Sequence, residues 1–320
     1  MNVMINGFGR IGRTILRQVM AVANDVSVVA INDIAPLDML AHLFQYDSTF
    51  GPYAGQVEAR GSQLVVDGSA IDVHRSDDLR TLDLSGVDVV LECTGVARNS
   101  DVALRGLHAG ARRVLISGPS PAAELTVVLG ANDALLRDQA VVSNASCTTN
   151  GLAPLVRLLN DGYGLQSGHM TTIHCYTNSQ PMVDAPRGDF ARSRAGAVSM
   201  VPTSSSAVHL IDTVLPCVAG RITGAAVRVP TASVSAIDLV ATLEQDFDTN
   251  GFRAAVDASA VLGWIDAPLV SSDLRGRPES LVLAGPEIRK SGAQVRIFGW
   301  YDNEWGFSAR MLDVARRMAA

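Results

Sequence analysis

The first half of the chain alternates short apolar runs with stretches of helical periodicity. Val3-Met4-Ile5 reads as a strand, Arg10 to Val22 as an amphipathic helix, and Val26 to Ile31 as the next strand. Gln63 to Val66 and Ala70 to Val73 flank Asp67-Gly68, a dipeptide that favours a tight hairpin turn. Val87 to Glu92, Arg113 to Ile116, Leu125 to Leu129 and Ala140 to Ser143 continue the strand series. Strands interleaved with helices predict a parallel sheet, since a parallel pair needs a crossover connection. After about residue 150 the pattern changes to longer alternating strands, at His169 to Cys175, Ala225 to Val229, Val234 to Leu243 and Ala293 to Tyr301. Helical segments lie between them, at Leu152 to Asn160, Ser206 to Val214 and Gly251 to Ser259, and Gly306 to Met318 is a final amphipathic helix. This second pattern predicts a mainly antiparallel sheet covered by helices.

Gly7-Phe8-Gly9-Arg10-Ile11-Gly12 lies directly between the first strand and the first helix. Glycines there allow a tight turn and close backbone approach to a pyrophosphate, and the helix start offers free N–H groups and a positive dipole end. Asp33 follows the next strand, where a carboxylate would bind ribose hydroxyls; alone it would read as an ordinary turn residue. A carboxylate in that place repels a 2′-phosphate and so favours NAD over NADP, with NADP left open. The expected organisation is α/β: a Rossmann-type dinucleotide-binding domain over 1–148 and an α+β catalytic domain over 149–303. The C-terminal helix, 304–320, is expected to pack back on the dinucleotide-binding domain.

Ser143-Asn144-Ala145-Ser146-Cys147-Thr148-Thr149-Asn150 ends a strand and begins a helix. A cysteine at a helix N-terminus sits in positive potential, which predicts a lowered thiol pKa and a populated thiolate. A lone cysteine is more often a small buried hydrophobe, but the hydroxyl- and amide-rich neighbours of Cys147 argue against that. His174 is the best candidate for a partner base. Strand alternation puts it on one face with Thr172 and puts Cys175 on the other, as a structural residue. Spacing alone does not pair His174 with Cys147.

Composition narrows the classes. Of 320 residues 48% are apolar and 18% charged, with a net charge of −6 and no basic tract, so neither nucleic acid nor a membrane surface is an expected partner. No apolar run approaches the roughly 20 residues of a membrane span, and Asn6, Gly7 and Arg10 leave no room for a secretory apolar segment, so a cytoplasmic setting is expected. The four cysteines have no metal-like spacing, and no metal is expected.

Asn6 to Arg13, Ala145-Ser146-Cys147-Thr148-Thr149-Asn150, His174-Cys175-Tyr176-Thr177-Asn178, Arg228-Val229-Pro230-Thr231 and Trp300-Tyr301-Asp302-Asn303-Glu304-Trp305-Gly306 run nearly end to end. In that order they resemble glyceraldehyde-3-phosphate dehydrogenase of the phosphorylating type. The resemblance implies that Cys147 attacks the aldehyde to form a thiohemiacetal with help from His174. Hydride then passes to the nicotinamide, and inorganic phosphate attacks the resulting thioester. It implies that Thr177 and Arg228 hold the phosphate of glyceraldehyde 3-phosphate and that Ser146, Arg192 and Ser205 hold inorganic phosphate. Thr148 and Ser206 belong to the same phosphate-binding set. It assigns the cofactor to Gly7, Gly9, Arg10, Ile11, Gly12, Asn32, Asp33, Thr94 and Ser117, with Asn303 orienting the carboxamide. It also implies a homotetramer in which the loop from about Tyr176 to Val201 reaches a neighbouring subunit. Arg194 reads as a surface ion pair.

Several positions depart from that pattern. Ser205-Ser206 stands for a threonine-glycine pair, His209 for a lysine, Phe307 for a tyrosine, Gly151 for a second cysteine and Ala185 for a larger apolar residue. These leave the reaction in place and open three alternatives: an erythrose-4-phosphate dehydrogenase, a specialised inhibitor-tolerant paralogue, and a non-catalytic dinucleotide-binding protein.

Overall fold

Val3, Met4 and Ile5 are wholly shielded from solvent, and the strand they form organises the first of two sheets. The computed structural model describes the whole chain, Met1–Ala320. The chain divides into two compact units, one of residues 1–127, 134–145 and 308–320 and the other of 128–133 and 146–307.

In the first unit β1 (Asn2–Asn6) leads through α1 (Arg10–Val22) to β2 (Ser27–Asn32), and α2 (Leu37–Gln45) follows. β3 (Val57–Arg60), β4 (Gln63–Val66) and β5 (Ser69–His74) come next, then β6 (Val89–Glu92), the short helices α3 (Ser100–Ala103) and α4 (Arg105–His108), β7 (Arg113–Ile116), β8 (Leu125–Thr126) and β9 (Val141–Ser143). The nine strands lie in the order β3-β4-β5-β2-β1-β6-β7-β9-β8. Only the β3–β4 and β4–β5 pairs are antiparallel. The sequence reverses direction across the sheet at β1, whose two neighbours, β2 and β6, both run parallel to it. In open α/β sheets such a switch point leaves a crevice beyond the carboxyl ends of the strands. Ile15, Leu16 and Val19 form the buried face of α1, and Met4, Val90, Val114 and Val141 belong to one apolar cluster across four strands.

In the second unit α5 (Cys147–Tyr163) precedes β10 (Leu165–Cys175), β11 (Val201–Thr203), α6 (Ala207–Val214), β12 (Ile222–Val229) and β13 (Ser235–Leu243). α7 (Thr249–Asp257), β14 (Leu262–Ile265), β15 (Leu281–Ala284), β16 (Arg289–Ser291) and β17 (Gln294–Tyr301) complete it. The sheet runs β11-β12-β10-β13-β17-β15-β14, with β16 on β17. It is antiparallel except for β10–β12 and β14–β15. The last helix, α8 (Trp305–Ala319), counts with the first unit from Ser308 onward, where Arg316 pairs with Asp25 at 2.6 Å.

Two sequence expectations are corrected. The break between units falls at 145/146 rather than 148/149, because α5 starts at Cys147 and carries its first turn into the second unit, and the later break falls at 307/308 rather than 303/304. The strand expected over Leu125 to Leu129 stops at Thr126. Beyond it, Asn132 Oδ1 accepts the Val128 N–H and Asp133 Oδ1 accepts the Gly130 N–H, so these amides bond within a turn instead of a sheet.

The β4–β5 turn illustrates how directly sequence fixes local geometry. Asp67 and Gly68 take φ of 49° and 82°, both left-handed, as a two-residue hairpin turn requires. Glycine pays no Cβ penalty there. Gly68→Ala should lower unfolding free energy by about 1 kcal/mol, read as a lower urea midpoint at unchanged slope.

Candidate active site

The crevice of the first sheet is lined by Asn6, Gly7 and Gly9 from the end of β1, Asn32 and Asp33 from β2, and Glu92, Cys93 and Thr94 from β6, and encloses about 370 Å³. Each glycine has its own reason. Gly7 has φ of 92°, and a Cβ on it would lie 2.7 Å from the Thr94 nitrogen. A Cβ on Gly12 would lie 2.3 Å from the Gly7 carbonyl oxygen. Gly9 faces open space, with nothing within 4 Å of where its Cβ would be. The loop is thus tightly packed behind and bare in front, which suits a pyrophosphate lying on the free N–H groups at the start of α1.

Behind this surface the polar side chains hold one another. Asn32 donates to Asn6 Oδ1 at 2.8 Å and to the Ser76 carbonyl at 2.9 Å, and Asn6 in turn donates to Glu92. Glu92 also accepts from the Thr94 N–H at 2.9 Å. Asn32 therefore acts chiefly as a brace for the crevice wall. Asp33 accepts from the Phe8 N–H at 2.7 Å and the Ala35 N–H at 3.0 Å, which fixes its carboxylate beside the glycine loop. Arg10 turns to Asp47 and the Phe50 ring, Ile11 is partly exposed on the first turn of α1, and Ser117, just past β7, is not among the residues lining the crevice.

In the second unit Cys147 is the first residue of α5, capped by Ser146, whose Oγ accepts the Thr149 N–H at 3.1 Å. Its Sγ lies 3.7 Å from His174 Nε2. His174 stands near the end of β10 and is paired in register with Arg228 of β12, which is paired with Val201 of β11. Three adjacent strands thereby align the base, a guanidinium and the start of the anion-binding region. Arg228 Nη1 reaches His174 Nδ1 at 2.7 Å and the Cys175 carbonyl at 3.1 Å. Tyr301, unremarked in sequence beyond its motif, packs edge-on against His174 with ring centroids 6.0 Å apart. Its hydroxyl bridges Thr148 and Thr172, each at 2.8 Å. Thr148 is thus turned into the protein and supports the site from behind. Cys175 is buried, as strand alternation predicts, but it has a task. Its Sγ donates to Asn303 Oδ1 at 3.2 Å, and Ser235 Oγ lies 3.5 Å from the same oxygen. Both acceptor contacts fix the amide orientation, so Asn303 Nδ2 is left to donate to a ligand.

Electrostatics revises one expectation. Burial pushes the Cys147 thiol up, and the charge of Arg228 and hydrogen bonds at the helix start only partly oppose it. The helix end alone does not lower the thiol, because desolvation disfavours the anion more strongly. Burial, reinforced by Arg228, holds His174 at about 4, against an opposing bond to the Cys175 carbonyl. Both members of the pair rest in their neutral forms at neutral pH.

The remaining anion candidates surround β11. Arg192 Nε donates to Thr203 Oγ1 at 2.6 Å, and its Nη2 lies 3.4 Å from the Ser204 carbonyl. Ser205 Oγ accepts the Ala207 N–H at 3.2 Å at the start of α6. Ser206 takes φ of −71°, so the position makes no demand for glycine and its exposed side chain is accommodated without backbone strain. Thr177 Oγ1 lies 2.9 Å from Ser179 Oγ. Arg194 pairs with Asp184 at 2.7 Å. Gly151 suits its place, since a Cβ there would lie 3.0 Å from the Ser280 carbonyl oxygen.

Comparison with known families agrees with this geometry. Residues 1–100 match the family profile described as glyceraldehyde 3-phosphate dehydrogenase, NAD binding domain, and residues 146–303 match that of the C-terminal domain. The glyceraldehyde-3-phosphate dehydrogenase of Xanthobacter flavus is 44% identical over 328 aligned residues, covering 99% of this chain and 98% of that protein. The Pseudomonas aeruginosa enzyme is 45% identical over 99% of this chain and 97% of its own length. Glyceraldehyde-3-phosphate dehydrogenase 1 of Bacillus subtilis is 43% identical over 99% and 98%.

The depressed His174 value has a consequence for stability. Between its ordinary 6.5 and about 4, the unfolded chain binds a proton that the folded protein refuses. Stability is therefore intact above this window and falls as pH falls through it. Urea unfolding at pH 7 and pH 4.5 should show roughly 2.5 kcal/mol more acid destabilisation in the wild type than in His174→Asn. Equal acid sensitivity in the two proteins would refute the assignment.

Proposed function

Because the chain belongs to the glyceraldehyde-3-phosphate dehydrogenase family, we propose that it oxidises glyceraldehyde 3-phosphate, with inorganic phosphate as co-substrate, to 1,3-bisphosphoglycerate through a thioester on Cys147. The observation that carries this reading is the approach of Cys147 Sγ to His174 Nε2 at 3.7 Å, with Arg228 beside the pair.

The thiol proton passes to His174 Nε2 as Sγ bonds the aldehyde carbon, which avoids a free thiolate in a site that resists charge. The Cys147 backbone N–H, at the start of α5, donates to the oxygen that gains charge. Protonation of that oxygen gives the thiohemiacetal, and His174 later removes the same proton as the thioester forms. NAD, held by Gly7, Gly9, Gly12 and Asp33, supplies the hydride acceptor. Asn303, braced by Cys175 and Ser235, orients the carboxamide. Arg228 and Thr177 hold the substrate phosphate; Arg192, Ser146 and Ser205 hold the inorganic phosphate whose oxygen attacks the thioester carbon and expels Sγ. Arginine suits both tasks because its planar fork meets phosphate oxygens in pairs.

The same reading includes a homotetramer in a cytoplasmic setting. The segment between β10 and β11 exposes Met182, Val183, Phe190, Val198 and Met200, with Phe190 99% exposed. Apolar side chains gathered on one loop favour cover by another subunit. No helix is long and apolar enough to cross a membrane.

NADH formation with glyceraldehyde 3-phosphate should depend on inorganic phosphate and fall at least about 10³-fold in Cys147→Ser, since the weaker hydroxyl nucleophile replaces the thiol. A folded, NAD-binding wild type that turns over erythrose 4-phosphate and not glyceraldehyde 3-phosphate would overturn the substrate assignment.

A further inference from the structure

Three polar atoms beside the catalytic pair cannot all be satisfied at once. His174 Nδ1 lies 2.7 Å from the Cys175 carbonyl oxygen and 2.7 Å from Arg228 Nη1, which is itself 3.1 Å from that oxygen. A carbonyl only accepts and a guanidinium only donates, whereas the Nδ1 of a neutral imidazole does one or the other. If Nδ1 accepts from Arg228, the ring hydrogen sits on Nε2 and no lone pair faces Cys147. If Nδ1 donates to Cys175, the Nε2 lone pair points at the thiol, and only this tautomer can act as the base.

We propose that Arg228 is a tautomer switch: docked on Nδ1 it holds His174 in the form that cannot take a proton from Cys147, and when a phosphate monoester draws it away Nδ1 bonds the Cys175 carbonyl and the base is armed. The inference rests on the reading of Arg228 as a ligand of the substrate phosphate. The switch changes no net charge on the ring, which loses its Nε2 hydrogen to solvent and gains one at Nδ1. Arg228 pairs with no carboxylate, so an incoming phosphate displaces only its contacts with His174 and Cys175. The parallel register of β10 and β12 fixes both backbones, which leaves the guanidinium as the moving part. Tyr301 offers His174 only its ring edge, because its hydroxyl is taken by Thr148 and Thr172. The Arg228 charge also depresses His174 basicity, and neutralising it with a dianion acts in the same direction as the tautomer change. The substrate phosphate would thus contribute to the chemical step as well as to binding. An aldehyde without that phosphate would meet an unready base.

The test is long-range ¹⁵N–¹H correlation of the full protein labelled at its six histidines, at neutral pH, with His174 assigned by comparison with His174→Asn. The probe is glycerol 3-phosphate, which carries the phosphate and no aldehyde, with glycerol as control. The free wild type should show His174 protonated at Nε2. Saturation with glycerol 3-phosphate should move the proton to Nδ1, and glycerol should not. Arg228→Leu should show the Nδ1 form without any ligand and no change on adding one. The same tautomer in free wild type and in Arg228→Leu would overturn the switch. If calorimetry shows that glycerol 3-phosphate does not bind the wild type, the phosphate-ligand reading fails and with it the arming step. The comparison of free wild type with Arg228→Leu then still decides whether Arg228 sets the tautomer.

Discussion

The parallel pairing of β10 with β12 is the constraint on which the catalytic centre depends. A parallel register places His174 directly beside Arg228, and the next pairing places Val201 beside Arg228 in turn. A slip of one residue would turn His174 to the opposite face and bring Cys175 into its place. The register is held on the other side of β10 by a long antiparallel run with β13, and β13 is held by β17, which supplies Tyr301. Arrival of α5 against this sheet then brings Cys147 to His174. The strand-to-helix turn that delivers it passes through Ala145 at φ of 54°, an uncommon conformation for a residue with a Cβ, and such outliers persist where surrounding structure enforces them.

The two units use different physics. The dinucleotide crevice is shaped by backbone: close-packed glycines at Gly7 and Gly12, an open one at Gly9, and polar side chains committed to bracing the wall. The catalytic centre works by desolvation and side-chain placement. Burial makes both thiolate and imidazolium costly, so charge appears when the reaction creates it and the fixed donors are there to meet it. Tyr301 and Cys175 serve this by holding other residues still, Tyr301 between two threonines and Cys175 against Asn303.

Much of this was legible in the sequence, for identifiable reasons. The range Arg10 to Val22 coincides with α1 because its apolar spacing and the glycines before it leave little freedom. The Asp67-Gly68 turn is fixed by the left-handed angles that those residues tolerate. Legibility fails where a long-range partner decides. Leu125 to Leu129 is apolar enough for a strand throughout, yet its last residues bond to Asn132 and Asp133. The short strands β14 and β15 gain their identity only from pairing with each other. At the active site, Cys147 and His174 stand out by neighbours and motif, but the effect of burial on the thiol requires knowing what surrounds it. The contact between Arg228 and His174 has no trace in the sequence, where the two lie 54 residues apart.

The glycine at position 151 has a bearing on redox chemistry. One helical turn beyond Cys147, where a second thiol would face the same side of α5, there is only a backbone hemmed in by Ser280 and Ile237. If peroxide converts Cys147 to its sulfenic acid, no thiol in the next turn of the helix is available to capture it as a disulfide. Recovery of the nucleophile then falls to a thiol from elsewhere, and the small reductants around the protein set how long an oxidised molecule stays silent.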